Sequence, residues 1–156
     1  MPICLAVGGA HGVAALQELS AGCPGVAFSQ IVEANILLSG LGFESGGLAA
    51  AHAVAQGLTA CADLHRKFLH GELVAVGVMA QLMLEDRMDE AAAAREFFRA
   101  VGLPTHLGEL DFDPGKQAGE LDEIITGSLR VPFIQAEPMP VSAELLRAAL
   151  LRAGTL

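Results

Sequence analysis

Tryptophan and tyrosine are absent from this sequence, and phenylalanine supplies all of the aromatic residues, which make up 4% of the chain. Basic residues are also few, with 9 Lys and Arg against 18 Asp and Glu and a formal net charge of −9. Binding to a phosphate backbone needs clustered Lys and Arg, and binding to single-stranded nucleic acid adds stacking aromatics. We therefore expect no nucleic-acid partner.

Charged residues of either sign are scarce, at 17% of the chain, whereas 53% of its residues are hydrophobic. Soluble domains usually contain about 25% charged residues. A chain of 156 residues fits one domain and can bury a sizeable core. Either this core is unusually large, or part of the surface faces another protein.

Cysteine is limited to Cys4, Cys23 and Cys61, an odd number without a CxxC pair, which indicates reduced thiols in a cytoplasmic protein. Residues 1–10 contain no Lys or Arg, whereas a signal peptide begins with basic residues. The uncharged stretch 45–62 is long enough to span a membrane, but it is rich in Ala and interrupted by Gly and polar residues. A buried helix followed by a loop fits it better, so we expect no membrane partner.

The hydrophobic pattern is typical of one helix after another and predicts an all-α fold, with a strand-like pattern only near residues 131–134. Gly40 and Gly42 are expected to break the second helix, residues 57–69 are expected to be a connection between helices, and residues 105–115 are expected to be irregular. The predicted helices lie near 13–19, 26–38, 47–56, 72–86, 89–101, 120–129 and 142–151. The helix over 72–86 is apolar on nearly every face and is predicted to be central and buried, and Ser142 is predicted to cap the last helix.

Two histidines flank the connection that precedes the predicted central helix. His52 lies within LAAAHAVAQ, and His70 follows 18 residues later, which leaves room for both rings to point at one ion. Neutral imidazoles suit zinc or ferrous iron, together with a further ligand that is often a carboxylate. The gap is not the spacing of HExxH, so a buried neutral histidine bonded to a backbone carbonyl stays open as the alternative.

Residues near the two histidines have both structural and functional interpretations. Glu44 and Glu72 are either acceptors for an imidazole N–H or ordinary carboxylates at helix ends. The basic residues at 65–67 are typical of a solvated loop tip. The stretch 40–47, GLGFESGG, follows a helix and has the order GxGxxxGG, so it is not a Rossmann motif. It is predicted to be a flexible turn whose glycines permit close approach to a ligand.

The segment VEANILLSGLGFESGGLAAAHA, with HGE further on, resembles the glycerol dehydrogenase family of the iron-containing alcohol dehydrogenase superfamily. The resemblance is close over residues 31–86, looser over 87–156 and faint over 1–30. It implies one all-helical domain over 1–156, with a lead-in, a metal-site core and C-terminal helices in those three ranges. The domain resembled is the C-terminal one, which supplies two histidine ligands to a catalytic zinc.

On the matching positions, the implied zinc ligands are His52 and His70, with iron as the alternative metal. Phe43 falls where the family places an aromatic beside substrate and nicotinamide, and its neighbours Glu44 and Ser45 are expected to lie near the same place. The family's N-terminal α/β domain carries the NAD-binding loop and an Asp that is the third zinc ligand. No residue here matches either feature, so no catalytic or NAD-binding residue is assigned.

The resemblance leaves three functional interpretations. In the first, the chain is part of an NAD-dependent oxidoreductase acting on glycerol or a vicinal diol, inactive without an N-terminal half from another chain and oligomeric through its helical surfaces. In the second, it is a non-catalytic truncated paralogue that serves as a helical interaction or weak metal-binding module. In the third, both histidines are structural and bind no ligand.

Overall fold

The computed structural model describes the backbone of residues 2–156 and their side chains, apart from those of residues 2–7, Leu38 and Ser45. The α-helices are α1 (Pro2–Ser20), α2 (Val26–Glu33), α3 (Ser39–Gly46), α4 (Ala50–Leu58), α5 (Ala62–Lys67), α6 (His70–Leu84), α7 (Met88–Ala100), α8 (Ala118–Arg130) and α9 (Ala143–Ala153). A π-helical turn, Ala34–Leu38, joins α2 to α3, and 3-10 turns occupy Leu107–Leu110 and Pro132–Ala136. Residues 2–156 contain no strand, so the all-α prediction is confirmed.

The chain divides into two compact units, Met1–Gly47 and Leu48–Leu156. Helices α1 to α3 belong to the first unit, and α4 to α9 belong to the second. A single domain over residues 1–156 stays a prediction.

In the first unit, α1 packs against α2, and one carboxylate joins them. The side chain of Glu18 accepts hydrogen bonds from the backbone N–H groups of Gly25, at 3.0 Å, and Phe28, at 2.8 Å. These bonds satisfy N–H groups at the start of α2, which has no cap from its own N-cap residue. The carboxylate therefore both caps α2 and ties it to the preceding helix.

The break predicted at Gly40 and Gly42 is wrong, because helical backbone continues through both residues to Gly46. A glycine within a helix costs only about 1 kcal/mol relative to alanine, so it weakens a helix without ending it. The helix ends where the backbone takes a positive φ, which is +67° at Gly47. Most of the predicted flexible turn over 40–47 is consequently the helix α3.

The continuous helical run Val26–Glu44 is long and apolar enough to cross a membrane by length and composition, with a mean hydropathy of 1.4 and 12% of it buried. Several of its apolar side chains are exposed, including Ile36 at 76% and Leu41 at 55%. Core helices of soluble proteins, which are mostly buried, and signal sequences meet the same criterion, so one such helix is weak evidence for a membrane span. The absence of a membrane partner therefore stays a prediction.

In the second unit, α6 is the central helix, as predicted from its apolar pattern. It packs against α4, α7 and α9 and contributes buried side chains on two sides. Leu73 and Val76 join a core cluster shared with α4, α8 and α9, whereas Met79 and Met83 join one shared with α7 and α9. Because both sides are covered, the helix has no polar face to maintain.

Two glycines bring helix backbones into direct contact with α4. A Cβ atom at Gly77 of α6 would lie 2.1 Å from the carbonyl oxygen of Ala51. A Cβ atom at Gly57 of α4 would lie 2.4 Å from the carbonyl oxygen of Ile124 in α8. Contacts this short exclude any side chain, so α4 is held in backbone contact with α6 on one side and α8 on the other.

Three further predictions have mixed outcomes. Residues 57–69 connect α4 to α6 as predicted, but they include the short helix α5. The strand-like pattern at 131–134 is a 3-10 turn that begins at Pro132. Proline fits the first position of such a turn, where its missing N–H would have had no partner. The predicted cap of α9 is confirmed, because Ser142 Oγ accepts a hydrogen bond from the Leu145 N–H at 3.2 Å.

Candidate metal site

The second unit brings His52 and His70 together. His52 is the third residue of α4, and His70 is the first residue of α6. Their ring centres are 6.1 Å apart, and the ring planes are inclined by 49°. Two imidazoles bound to one tetrahedral zinc, each with its nitrogen about 2.0–2.1 Å from the metal, have ring centres about 5 Å apart. Small side-chain rotations close that difference, so the pair suits two positions around one ion.

The two rings differ in their surroundings. His70 is exposed, whereas His52 is half-buried. Burial lowers the pKa of His52, and the electrostatic interaction with neighbouring His70 lowers it further; no hydrogen bond contributes to the shift. His52 therefore stays neutral at neutral pH, and a neutral imidazole is the form that binds a metal.

The pair has no third donor beside it in the part of the chain that the structure describes, where His, Cys, Asp and Glu form no group of three close enough to hold a metal ion. Zinc sites in proteins usually have three or four protein ligands. The donors present therefore fit part of a coordination shell, and another ligand has to complete it.

The other residues predicted to face substrate or cofactor lie in the first unit. Phe43 and Glu44 are part of α3 and are exposed, Phe43 at 55%. Ser45 belongs to the same helix, but its side chain lies outside the described residues. These three residues and the histidine pair belong to different units, and the closeness of residues 43–45 to a substrate stays a prediction.

Glu72 acts at the end of a helix. Its Oε2 atom accepts a hydrogen bond from the Leu69 N–H at 2.6 Å and so caps the first turn of α6. Of the two interpretations of this carboxylate, the structure supports the helix-terminal one. The bond nevertheless helps the site, because it fixes the turn that carries His70.

The basic residues at 65–67 form the end of α5 and are exposed. Arg66 pairs with Asp63, and Lys67 Nζ lies 3.6 Å from Asp111 Oδ2. Exposed pairs of this kind are worth little to stability. The interpretation as a solvated surface feature is confirmed, although the feature is a short helix and not a loop tip.

The side chains that hold the start of α4 are not evident from the sequence. The N-cap residue, Ala49, has no side-chain acceptor, yet both following N–H groups are satisfied. Ala50 N–H donates to Glu137 Oε1 at 2.8 Å, and Ala51 N–H donates to Gln81 Oε1 at 3.1 Å. The only signals in the sequence are the lack of a capping residue before His52 and a single carboxylate within an apolar, proline-rich stretch, residues 131–141.

Glu137 is buried, with 8% of its surface exposed. Its Oε2 atom is buried without a hydrogen-bond partner among the described residues. Burial raises the pKa of Glu137, the hydrogen bond from Ala50 opposes that change, and the nearby Glu85 carboxylate adds to it. Glu85 in turn accepts a hydrogen bond from Gln81 Nε2 at 2.7 Å. Glu137 and Gln81, which accept from the first two N–H groups of α4, therefore both lie next to the Glu85 carboxylate.

No protein-family model matches the chain, but individual relatives do. A glycerol dehydrogenase of Thermotoga maritima is 43% identical over 136 residues, which are 86% of this chain and 37% of that protein. A glycolaldehyde reductase of Halobacterium salinarum is 41% identical over 147 residues, 92% of this chain and 39% of that protein. The chain therefore spans about two fifths of the length of these curated relatives.

Solved structures agree with the sequence relatives. The crystal structure of a probable glycerol dehydrogenase from Sinorhizobium meliloti 1021 superimposes with a TM-score of 0.92 and 36% identity, over 99% of this chain and 44% of that one. The glycerol dehydrogenase of Schizosaccharomyces pombe gives 0.89 and 34%, over 97% of this chain and 39% of that one. On this combined likeness of sequence and fold, the chain belongs to the glycerol dehydrogenase family and corresponds to an all-helical part of its members.

Proposed function

We propose that this chain is part of a glycerol dehydrogenase-like oxidoreductase, in which His52 and His70 hold a catalytic zinc ion. The observation that carries the proposal is the pairing of the two rings, 6.1 Å apart between centres, on helices α4 and α6 in backbone contact. Ferrous iron is the alternative metal, because imidazole ligands suit both ions. The relatives are more than twice as long as the region matched, and we propose that residues outside this sequence, in the same polypeptide or in another one, supply the missing ligand and the NAD-binding half.

Zinc bound there would supply Lewis acidity toward a hydroxyl group of glycerol or another vicinal diol. The part of this chain is to position that ion. His52 offers a ring nitrogen that carries no proton to displace, because burial lowers its pKa, and His70 leaves the pair open on its exposed side. Oxidation of the diol requires hydride transfer to a nicotinamide, beside which we propose that Phe43, Glu44 and Ser45 lie.

Zinc titration of the metal-free chain by calorimetry tests the ligands. We expect one zinc per chain and a loss of affinity of at least tenfold in both His52→Ala and His70→Ala, since even outer-shell changes cost about 10–100-fold. His65→Ala is the matched control, because this exposed histidine lies in α5, outside the pair. Variants at 52 and 70 that bind zinc as tightly as the control would contradict the assignment.

A second candidate is a non-catalytic module for helical interaction or weak metal binding. It is favoured by the two-donor site, which lacks a third ligand in the part of the chain that the structure describes. Exposed apolar side chains such as Ile36 and Leu41 are also consistent with a homo-oligomer or another protein partner.

Turnover distinguishes the two candidates. We expect no NADH when the purified chain is mixed with NAD⁺, zinc and glycerol, because the described residues complete neither the metal shell nor a nucleotide site. Addition of an NAD-binding half taken from a full-length relative should produce NADH, and His52→Ala should remove that gain. Turnover by residues 1–156 alone would refute the requirement for an added NAD-binding half, whereas zinc binding without a gain on addition favours the non-catalytic module.

A further inference from the structure

We infer that Glu137 is a positioning residue for His52, which it fixes by capping the helix that carries this ligand. The inference rests on the proposed function where it concerns metal binding. The effect of Glu137 on the position of the His52 ring can be measured without a metal.

The start of α4 lacks a local side-chain cap of the kind that α6 and α9 have. The first N–H groups of a helix have no partner within it, and a Ser, Thr, Asp or Asn at the N-cap position usually accepts from one of them. Ser142 does this for α9, and Glu72 caps α6 from three residues beyond Leu69. Ala49 offers α4 no such acceptor.

Glu137 replaces the missing cap from a distant part of the chain. Its Oε1 atom accepts from the Ala50 N–H at 2.8 Å, across 87 residues of sequence, in a buried setting. A hydrogen bond to a carboxylate is stronger than one between neutral groups, and burial strengthens it further. The first turn of α4 is therefore fixed by tertiary structure and not by its own sequence.

His52 lies in that first turn, two residues after Ala50. The glycine contacts hold the backbone of α4 at Ala51 and Gly57, but they do not satisfy the N–H of Ala50. An uncapped first turn frays most readily at its first residues. Loss of the Glu137 bond is therefore expected to displace the His52 ring more than the His70 ring.

The carbonyl oxygen of an amide can replace the carboxylate oxygen in this bond. Glu137→Gln keeps an acceptor for Ala50 and places an NH₂ group where the buried Oε2 now lacks a partner. Glu137→Ala removes the acceptor. Glu18→Ala is the matched control, because it removes a carboxylate that caps α2, in the unit without the histidine pair.

The test compares these variants in the full chain by two measurements. In the metal-free chain, NMR records the ring resonances of His52 and His70 and the contacts between them. In the second measurement, zinc alone is titrated by calorimetry. We expect Glu137→Ala to shift the His52 ring signals, weaken the contacts between the rings and reduce zinc affinity about tenfold, as loss of an outer-shell partner does. Glu137→Gln should restore most of the affinity, and Glu18→Ala should change neither measurement.

A Glu137→Ala chain that is folded and matches Glu18→Ala in both measurements would overturn the inference. So would a Glu137→Gln chain as impaired as Glu137→Ala, because the acceptor would then not be what matters. If Glu137→Ala does not fold, Glu137→Asp takes its place with the same expectation, since its shorter side chain draws the acceptor away from Ala50. A wild-type chain that binds no zinc even when an NAD-binding half from a full-length relative is added refutes the proposed function alone, and the ring signals still decide the role of Glu137.

Discussion

Gly77→Ala is expected to lower the free energy of unfolding by about 3 kcal/mol, the upper end of the usual cost of overpacking a core. The added Cβ would lie 2.1 Å from the carbonyl oxygen of Ala51. That neighbour is backbone, so it cannot rotate away, and α4 and α6 must separate. Helix propensity alone would favour alanine by about 1 kcal/mol, so the predicted sign is opposite to that of an ordinary glycine replacement. Urea unfolding followed by circular dichroism measures the change.

Gly119→Ala is the matched control for this prediction. Gly119 also lies within a helix, α8, but a Cβ there would have no atom within 4 Å. We expect this variant to gain up to about 1 kcal/mol. A Gly77→Ala chain as stable as Gly119→Ala would show that the two helices are not in backbone contact, and the positioning of His52 beside His70 would lose its structural basis.

Phe112→Ala is expected to lower the free energy of unfolding by about 3–5 kcal/mol, the range for a buried phenylalanine truncated to alanine. Phe112 is 1% exposed and belongs to the core cluster that includes Leu58 of α4 and Leu73 of α6. Its removal leaves a cavity among helices that also carry the histidine pair. Urea unfolding gives the size of the loss.

The same substitution at an exposed phenylalanine separates the effect of burial from that of residue type. Phe43 is 55% exposed, so Phe43→Ala should change the free energy of unfolding by no more than about 0.5 kcal/mol. Equal losses at Phe43 and Phe112 would contradict the core assignment. A small loss at both would indicate that the segment after the 3-10 turn Leu107–Leu110 does not pack into the core.

The parts of the fold that sequence could predict are those with a strong local pattern. Helix α6 was predicted from a run that is apolar on nearly every face, and α9 from Ser142 followed by an amphipathic segment. The ends of α3 could not be predicted in this way. Glycine at 40 and 42 disfavours a helix only weakly, and the backbone conformation at Gly47, which does end it, leaves no separate mark in the sequence.

The candidate site was predictable only in part, for a similar reason. The pairing of His52 with His70 came from a family resemblance, because a gap of 18 residues specifies no geometry by itself. The acceptors that hold α4 lie 30 and 87 residues beyond their donors, and no local pattern records such contacts. Phe112 likewise lies in a stretch without helical periodicity, so its burial depends on helices that are distant in sequence.

The long sequence separation between Ala50 and Glu137 also bears on the order of events during synthesis. Translation proceeds from the N-terminus, so both histidines leave the ribosome well before the residue that caps α4 has been made. Contacts between distant residues form late, since the chain must first close a large loop. We therefore expect the nascent chain to lack an ordered histidine pair until residues 131–141, which carry Glu137, have been made, so that any metal bound by the pair is taken up after that segment.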